Sequence, residues 1–317
     1  MKFANIDLRR LCVTANVSTI TFFIQQGTVM TKIFHRACTA LVAGVTMAVF
    51  ATAASAAIVG STEVPLDARN SSVRFVEANV GNLAADALRW QASELGLNPT
   101  IGVINGGGIR GNSLYFPLAT PLSPANVTDA DVFNLLPFNN KVGVIGGVTV
   151  PDLLRALENS VTYAAPGDLG SATGRFLQVS GLFFSWDTTA PAGSRIIDVL
   201  LQDLTPLVDD GMTVSSLLLN IATIDFLAFG GDGYTMFSPY TFSDSGVLYR
   251  DALTNYITTP LGGEILKTDY PQGGEGRIQQ NIQLIPEPGT LALLGLSVAG
   301  LSAARRHKQW AKFPNLM

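Results

Sequence analysis

Asn105-Gly106-Gly107-Gly108-Ile109-Arg110 holds the residue types in this chain that could do chemistry. Three glycines leave the main chain bare between a carboxamide and a guanidinium. Glycine lets backbone come close to a ligand. Arg110 can give charge-assisted, often bidentate, bonds to an anion. Arg74 offers a second group of that kind, and Asp232 places a carboxylate between Gly231 and Gly233. Other chemistries lack their residues. The two histidines, His35 and His307, and the two cysteines, Cys12 and Cys38, all lie outside residues 57–285. That body cannot supply a Ser-His-Asp or Cys-His device, a disulfide or a thiolate nucleophile, or a His- or Cys-based zinc site.

Two phosphate-binding loops can be weighed against the glycine run. Gly106, Gly108 and Gly111 fit G-x-G-x-x-G after an apolar strand. That fingerprint needs a helix to open at once on the pyrophosphate, and the proline-bearing NSLYFPLATP follows instead. No Gly-Lys-Ser/Thr is present, which excludes a P-loop. Taken alone the run reads as a tight turn with glycines at positive φ. Asp129 and Asp131 could hold a cation weakly, but their spacing is not that of a calcium loop.

Charge narrows the ligand further. Residues 57–285 carry 11 Lys and Arg against 22 Asp and Glu, although the whole chain is only −4. A body this acidic is not expected to bind a nucleic acid polymer through a general basic surface. Any anion must be held by a few local arginines.

The elements that must position these residues follow from pattern. Residues 57–72 look extended and polar. Val80, Leu83, Ala84, Ala87, Leu88 and Leu95 recur at helical spacing, with Asn79 or Asn82 as a cap. TIGVIN, residues 100–105, reads as a short buried strand, and residues 141–148 as another. Between them Pro117, Pro121 and Pro124 keep the chain irregular, and Asp129 and Asp131 precede a loop-like LLPF. A helix begins near Thr149, with Pro151 and Asp152 in its first turn and Leu153, Leu154, Leu157 and Val161 as its apolar stripe. FLQVSGLFFSWD, SRIIDVLLQD and Leu217–Ile224 are strand-like, and residues 247–258 suit a last surface helix. Two early helices followed by several strands predict an α+β domain over residues 57–283.

The ends read as addresses. Residues 30–56 have a basic start, an apolar run and Ala54-Ser55-Ala56, the pattern of a signal peptide cut by signal peptidase after Ala56. Residues 1–29 read as an upstream extension or a mis-chosen start. At the other end Pro286-Glu287-Pro288 precedes a 16-residue apolar run, Gly289–Ala304, and then Arg305, Arg306, His307 and Lys308. This order resembles the PEP-CTERM sorting signal over residues 284–308. The resemblance implies processing by an exosortase and delivery to the cell surface or outside the cell. The short helix would anchor the chain transiently in the inner membrane, with residues 309–317 as a cytoplasmic tail.

The body, from about Ser61 to Ile282, resembles the C-terminal domain of 5′-nucleotidases. Val73-Arg74-Phe75 and Glu77-Ala78-Asn79-Val80-Gly81-Asn82-Leu83 look like its opening block, and Asn105–Arg110 is its NGGGIR. Leu136-Pro137-Phe138-Asn139-Asn140, Gly174-Arg175-Phe176-Leu177-Gln178-Val179-Ser180-Gly181, Asp225-Phe226-Leu227-Ala228-Phe229-Gly230-Gly231-Asp232-Gly233-Tyr234 and Gly276-Arg277-Ile278 follow in the family's order. The resemblance implies a nucleotide or nucleoside ligand. Phe138 and Phe226 would clamp the base, Asp232 would accept the ribose hydroxyls, and Arg74 and Arg110 would face phosphate. Asn105 would meet a base edge, and Gly107 and Gly108 would let the main chain approach. Ile224 departs from the pattern, standing where relatives usually have Asn.

Full-length relatives hold their two metals in a separate metallophosphoesterase domain. Upstream of Ser61 this chain reads only as targeting sequence. The expectation is therefore a nucleotide-binding domain with no metal or other cofactor of its own. Catalysis would need a separate metallophosphoesterase chain; a structural surface domain keeping only the fold is the alternative.

Overall fold

The computed structural model describes residues 56–163 and 173–280. The upstream extension, the signal segment apart from Ala56, the sorting segment and the tail lie outside the described residues.

The chain opens with strands β1 (Ile58–Thr62) and β2 (Leu66–Asp67), a single helical turn α1 (Asn70–Val73) and the long helix α2 (Asn79–Glu94). Strand β3 (Ile101–Asn105) leads into a 3-10 turn at Gly106–Gly108. Then come β4 (Leu114–Tyr115), β5 (Ala125–Thr128), α3 (Asp129–Leu135), β6 (Lys141–Thr149) and α4 (Val150–Val161). After the undescribed segment, β7 (Leu177–Ser180), β8 (Leu182–Trp186), β9 (Ile196–Leu201), β10 (Pro206–Asp209), β11 (Met212–Thr213) and β12 (Leu218–Ile224) follow. The turn α5 (Asp225–Ala228), β13 (Phe242–Leu248), α6 (Tyr249–Thr258), β14 (Glu264–Ile265) and β15 (Ile278–Gln280) complete the described chain. The class is α+β, as the pattern predicts.

Two five-stranded sheets dominate, in the orders β13-β6-β12-β3-β7 and β11-β10-β9-β8-β15. In the first, β3 and β12 are parallel neighbours, and each is flanked by an antiparallel strand. β3 is buried along its whole length, as expected of a central apolar run. Helix α2 lies across this sheet and against α6. It approaches closely because it presents small residues: a Cβ on Gly102 of β3 would stand 2.8 Å from the Ala85 carbonyl oxygen.

Several local expectations hold. Helix α4 starts after Thr149, whose Oγ1 accepts from the Asp152 N–H at 3.3 Å, the usual way to satisfy an orphan donor. Others change. The α2 cap is Ala78, with no side-chain cap bond, and Asn79 and Asn82 sit inside the helix, fully buried. Tertiary partners claim both. Asn79 Oδ1 accepts from the Asp67 N–H (3.0 Å) and its Nδ2 donates to the Pro65 carbonyl (2.8 Å), while Asn82 Nδ2 donates to Glu77 Oε1 at 2.6 Å. LLPF is loop-like from Leu136 onward, as expected, but a helix that the pattern did not announce, α3, precedes it. Thr128 Oγ1 accepts from the Asp131 N–H, and Asp131 Oδ2 accepts from the Thr128 N–H at 2.9 Å, a reciprocal capping box. That bond commits the Asp131 carboxylate to the helix start. Helix α6 is the expected last surface helix, with Tyr249, Ala252, Leu253 and Ile257 on its buried face. Ile224 is wholly buried as the last residue of β12.

Candidate functional site

One edge of the first sheet gathers four chain ends. β3 and β12 run parallel and both finish there, while β6 and β7, antiparallel to them, both begin there. The register pairs Asn105 with Leu177 and Ile224 with Val142. The crevice beyond the carboxyl ends of parallel strands is where open sheets commonly hold ligands. A hollow of about 410 Å³ lies at this edge, and Arg74, Asn105, Gly107, Gly108, Arg110, Phe138, Phe226 and Asp232 all line it. Asn140 and Gly174 complete its lining.

The glycine run is bare for a reason different from the sequence expectation. None of Gly106, Gly107 and Gly108 has positive φ; in this loop that conformation falls on Gly111, at 100°. What the first two glycines permit is close packing of protein on protein. A Cβ on Gly106 would stand 2.1 Å from the Val73 carbonyl oxygen, and one on Gly107 would stand 2.8 Å from Gly174 Cα. The same loop is stitched to the start of β7: the Gly106 N–H donates to the Phe176 carbonyl and the Gly107 N–H to the Gly174 carbonyl, each at 2.7 Å. No helix follows, so the dinucleotide fingerprint lacks its second half.

Arg110 sits just past the turn, its main-chain N–H donating to the Leu135 carbonyl at 2.8 Å. Its guanidinium carbon lies 5.0 Å from the centroid of the Phe138 ring, within cation–π range. Arg74 reaches the hollow from the end of α1. Burial pulls its pKa down, the Arg110 charge adds to that, and the Asp232 carboxylate opposes both. Two guanidiniums and one carboxylate thus feel one another around the same space, inside a strongly acidic body.

Phe138 and Phe226 are 39% and 42% exposed. Large aromatic faces left half open on a concave site are more informative than exposed apolar residues elsewhere. Phe138 lies between α3 and β6. Phe226 stands in the helical turn α5, and its ring lies on Gly231, where a Cβ would come within 2.5 Å of Cε2. Asp232 follows in the left-handed region (φ 53°, ψ 24°), which aspartate tolerates better than most side chains. Its Oδ2 accepts from Asn105 Nδ2 at 2.6 Å. Asn105 is buried, and one of its donors is spent on holding that carboxylate; its Oδ1 is buried with no partner among the described residues.

Some of the supports carry no sequence motif. Tyr249, fully buried at the start of α6, bridges two site loops: the Phe138 N–H donates to its Oη at 3.0 Å, and its hydroxyl donates to the Gly108 carbonyl at 3.3 Å. Burial pushes this phenol up to about 12, so it stays a neutral donor at any working pH. Tyr249→Phe is expected to destabilise the protein by about 1–3 kcal/mol, because it leaves the Phe138 N–H unpaired. Denaturant unfolding of the two proteins measures this.

The sequence pattern of the family described as "5′-nucleotidase, C-terminal domain" matches residues 58–239, more than half of the chain. The chain belongs to the 5′-nucleotidase C-terminal domain family. Relatives share this domain at modest identity. The chain is 30% identical to 5′-nucleotidase of Homo sapiens over 231 residues, 69% of this chain and 36% of that protein. It is 29% identical to the trifunctional nucleotide phosphoesterase protein YfkN of Bacillus subtilis (strain 168) over 180 residues, 57% of this chain and 11% of that protein. The solved 5′-nucleotidase precursor from Thermus thermophilus superimposes with a TM-score of 0.58 at 27% identity, covering 79% of this chain and 44% of that one. The chain therefore spans less than half the length of each of these relatives. A second match covers residues 284–306 and is described as the PEP-CTERM protein-sorting motif. That motif implies an exported protein and processing by an exosortase. Among the described residues no helix is long and apolar enough to cross a membrane; the apolar run Gly289–Ala304 lies outside them.

In this 5′-nucleotidase C-terminal domain, all eight residues expected at the site come to one hollow. Asn140 and Gly174 stood in the quoted family blocks without being assigned a role there. Nothing in the sequence pointed to Tyr249.

Proposed function

We propose that the hollow binds a nucleoside or nucleoside monophosphate. The base stacks between Phe138 and Phe226, the ribose diol meets the Asp232 carboxylate, and the phosphate lies toward Arg74 and Arg110. One observation carries this reading: two half-exposed phenyl rings, two guanidiniums and a carboxylate fixed in a left-handed turn all line the same space. Its volume falls in the range of small-ligand sites, roughly 300–1,000 Å³. Each part suits one part of such a ligand. Stacking on a base is worth roughly 1–3 kcal/mol, guanidiniums pair with phosphate in charge-assisted bonds, and a carboxylate accepts from two vicinal hydroxyls.

The site residues bind and orient; none is placed to activate water. Metals of the kind that full-length relatives carry do not fit this chain's described residues, among which no group of three or more His, Cys, Asp or Glu could hold an ion. On this reading hydrolysis needs a metallophosphoesterase domain beyond the residues described.

The test is isothermal titration of the purified body with AMP and adenosine, together with phosphate release from AMP in the presence of divalent metals. Binding of both ligands below millimolar concentration, with no turnover above blank, is the expected result. Absence of binding at millimolar ligand refutes the pocket reading. Metal-dependent phosphate release by the body alone refutes the division of labour.

A further inference from the structure

Asp232 is held at both ends. Its carboxylate accepts from Asn105, and its main-chain carbonyl accepts from Asn159 Nδ2 at 3.1 Å. Asn159 lies on α4, outside the lining of the hollow, and nothing in the sequence pattern marks it. Its amide orientation is not ambiguous. Arg175 Nη1 donates to Asn159 Oδ1 at 2.9 Å, and a guanidinium can only donate, so the NH2 group must face the Asp232 carbonyl.

Arg175 is itself fixed. Its guanidinium carbon lies 4.7 Å from the Tyr163 ring centroid, and its carbonyl accepts from the buried Tyr234 hydroxyl at 2.5 Å. Helix α4 is tied to the start of β7 one residue further on, where Ser160 Oγ accepts from the Leu177 N–H at 2.8 Å. The link therefore runs from a rigid helix to a strained turn. The left-handed region is disfavoured for any residue with a side chain, and Gly230 and Gly233 on either side, at φ 92° and 83°, would let the turn relax. Without the bond to Asn159, rotation of Asp232 out of the left-handed region would turn its side chain, and the carboxylate with it, away from Asn105.

We infer that Asn159 is a positioning residue for the ribose side of the site: by holding the Asp232 carbonyl it keeps the carboxylate where a vicinal diol can be read. This rests on the nucleoside reading above. Asn159 touches no ligand, so its effect must pass through Asp232 and must depend on the hydroxyls.

Titrations of adenosine and of 2′,3′-dideoxyadenosine into the wild-type body and into Asn159→Asp decide it. Aspartate is isosteric, keeps an acceptor for Arg175 and removes the donor to Asp232. Adenosine should bind about 10-fold more weakly, the scale of one hydrogen bond to a strained group, while dideoxyadenosine should bind the two proteins equally within about twofold. Equal weakening of both ligands overturns the inference, since it marks a general structural role. Unchanged adenosine affinity overturns it as well. A readout without ligand separates this inference from the reading it rests on: the side-chain amide resonance of Asn105, bonded to Asp232, should shift in Asn159→Asp. If it does not move, the link is refuted even where nucleosides bind. If the wild type binds neither ligand, the nucleoside reading fails, and the Asn105 resonance still decides whether Asn159 places Asp232.

Discussion

Alanine at both Phe138 and Phe226 is expected to weaken AMP and adenosine binding by at least about 30-fold, and each change alone by about fivefold or more. The magnitude follows from stacking worth roughly 1–3 kcal/mol per face, with tenfold in affinity for each 1.4 kcal/mol. The two losses should combine nearly additively if the base separates the rings, since each ring then contacts the ligand and not the other. Phe138→Ala removes in addition the face over which Arg110 lies at 5.0 Å, so its effect on AMP should exceed its effect on adenosine. Both rings are only about two-fifths exposed, so each truncation gives up part of a buried phenyl, and folding stability should fall by about 1–2 kcal/mol, less than a fully buried Phe costs. Titration calorimetry with a thermal melt on each variant checks both statements. Affinities unchanged in the folded double variant would remove the clamp from the mechanism.

Arg277→Ala is expected to cost about 3–5 kcal/mol of folding stability without altering the hollow. Arg277 donates to both Asp86 oxygens at 2.7 and 2.8 Å, to Glu275 Oε2 at 2.6 Å and to the Val179 carbonyl at 2.9 Å. Its side chain is only 12% exposed and that of Asp86 16%. Removing the cation leaves two largely buried carboxylates facing each other, and breaking such a buried pair from one side carries a penalty of this size. The sign with pH is fixed. Burial already raises the Glu275 pKa above 4.5, with Arg277 pulling the other way. Losing Arg277 raises it further. A carboxyl whose folded pKa is raised is stabilising below its unfolded pKa, and that contribution is lost as pH rises through the folded value. The variant's deficit should therefore be larger at pH 7 than near pH 4. Urea unfolding at both pH values measures it; a deficit independent of pH would mean that the carboxylates are not what Arg277 compensates.

The parts of the fold legible in the sequence are those whose signals are local. Within TIGVIN the stretch Ile101–Ile104 has no polar interruption, and with Asn105 it forms the buried β3. Thr149, Pro151 and Asp152 announce a helix start in four residues, and α4 begins there. Signals that depend on partners far along the chain misled. Asn79 and Asn82 have the residue type of a cap, but Asp67, Pro65 and Glu77 take their amides, which no pattern around residue 80 reveals. Thr128 and Asp131 did carry a local capping signature, but the LLPF that follows masked it. β13 was missed because its exposed edge position asks little of its side chains. At the site the motifs contain every residue with a face on the hollow, although they gave Asn140 and Gly174 no role. They did not explain the glycines, whose bareness answers to Val73 and Gly174 across the loop and not to φ. Nor did they show Tyr249 or Asn159, which act by holding other residues and so need no distinctive neighbours.

The convergence of four strand ends has a consequence for how the hollow comes into being. Its two halves are far apart along the polypeptide: Asn105 and the Asp232 it holds are separated by 127 positions, and the Tyr249 that ties Phe138 to Gly108 lies 141 positions from the latter. Contacts of such separation must meet the entropy of closing very long loops before they return anything. Ligand competence should consequently be among the last properties the nascent chain acquires, appearing only once β12 has docked beside β3. A fragment ending before Leu218 would keep both guanidiniums and one of the two phenyl rings, and is expected to bind no nucleoside.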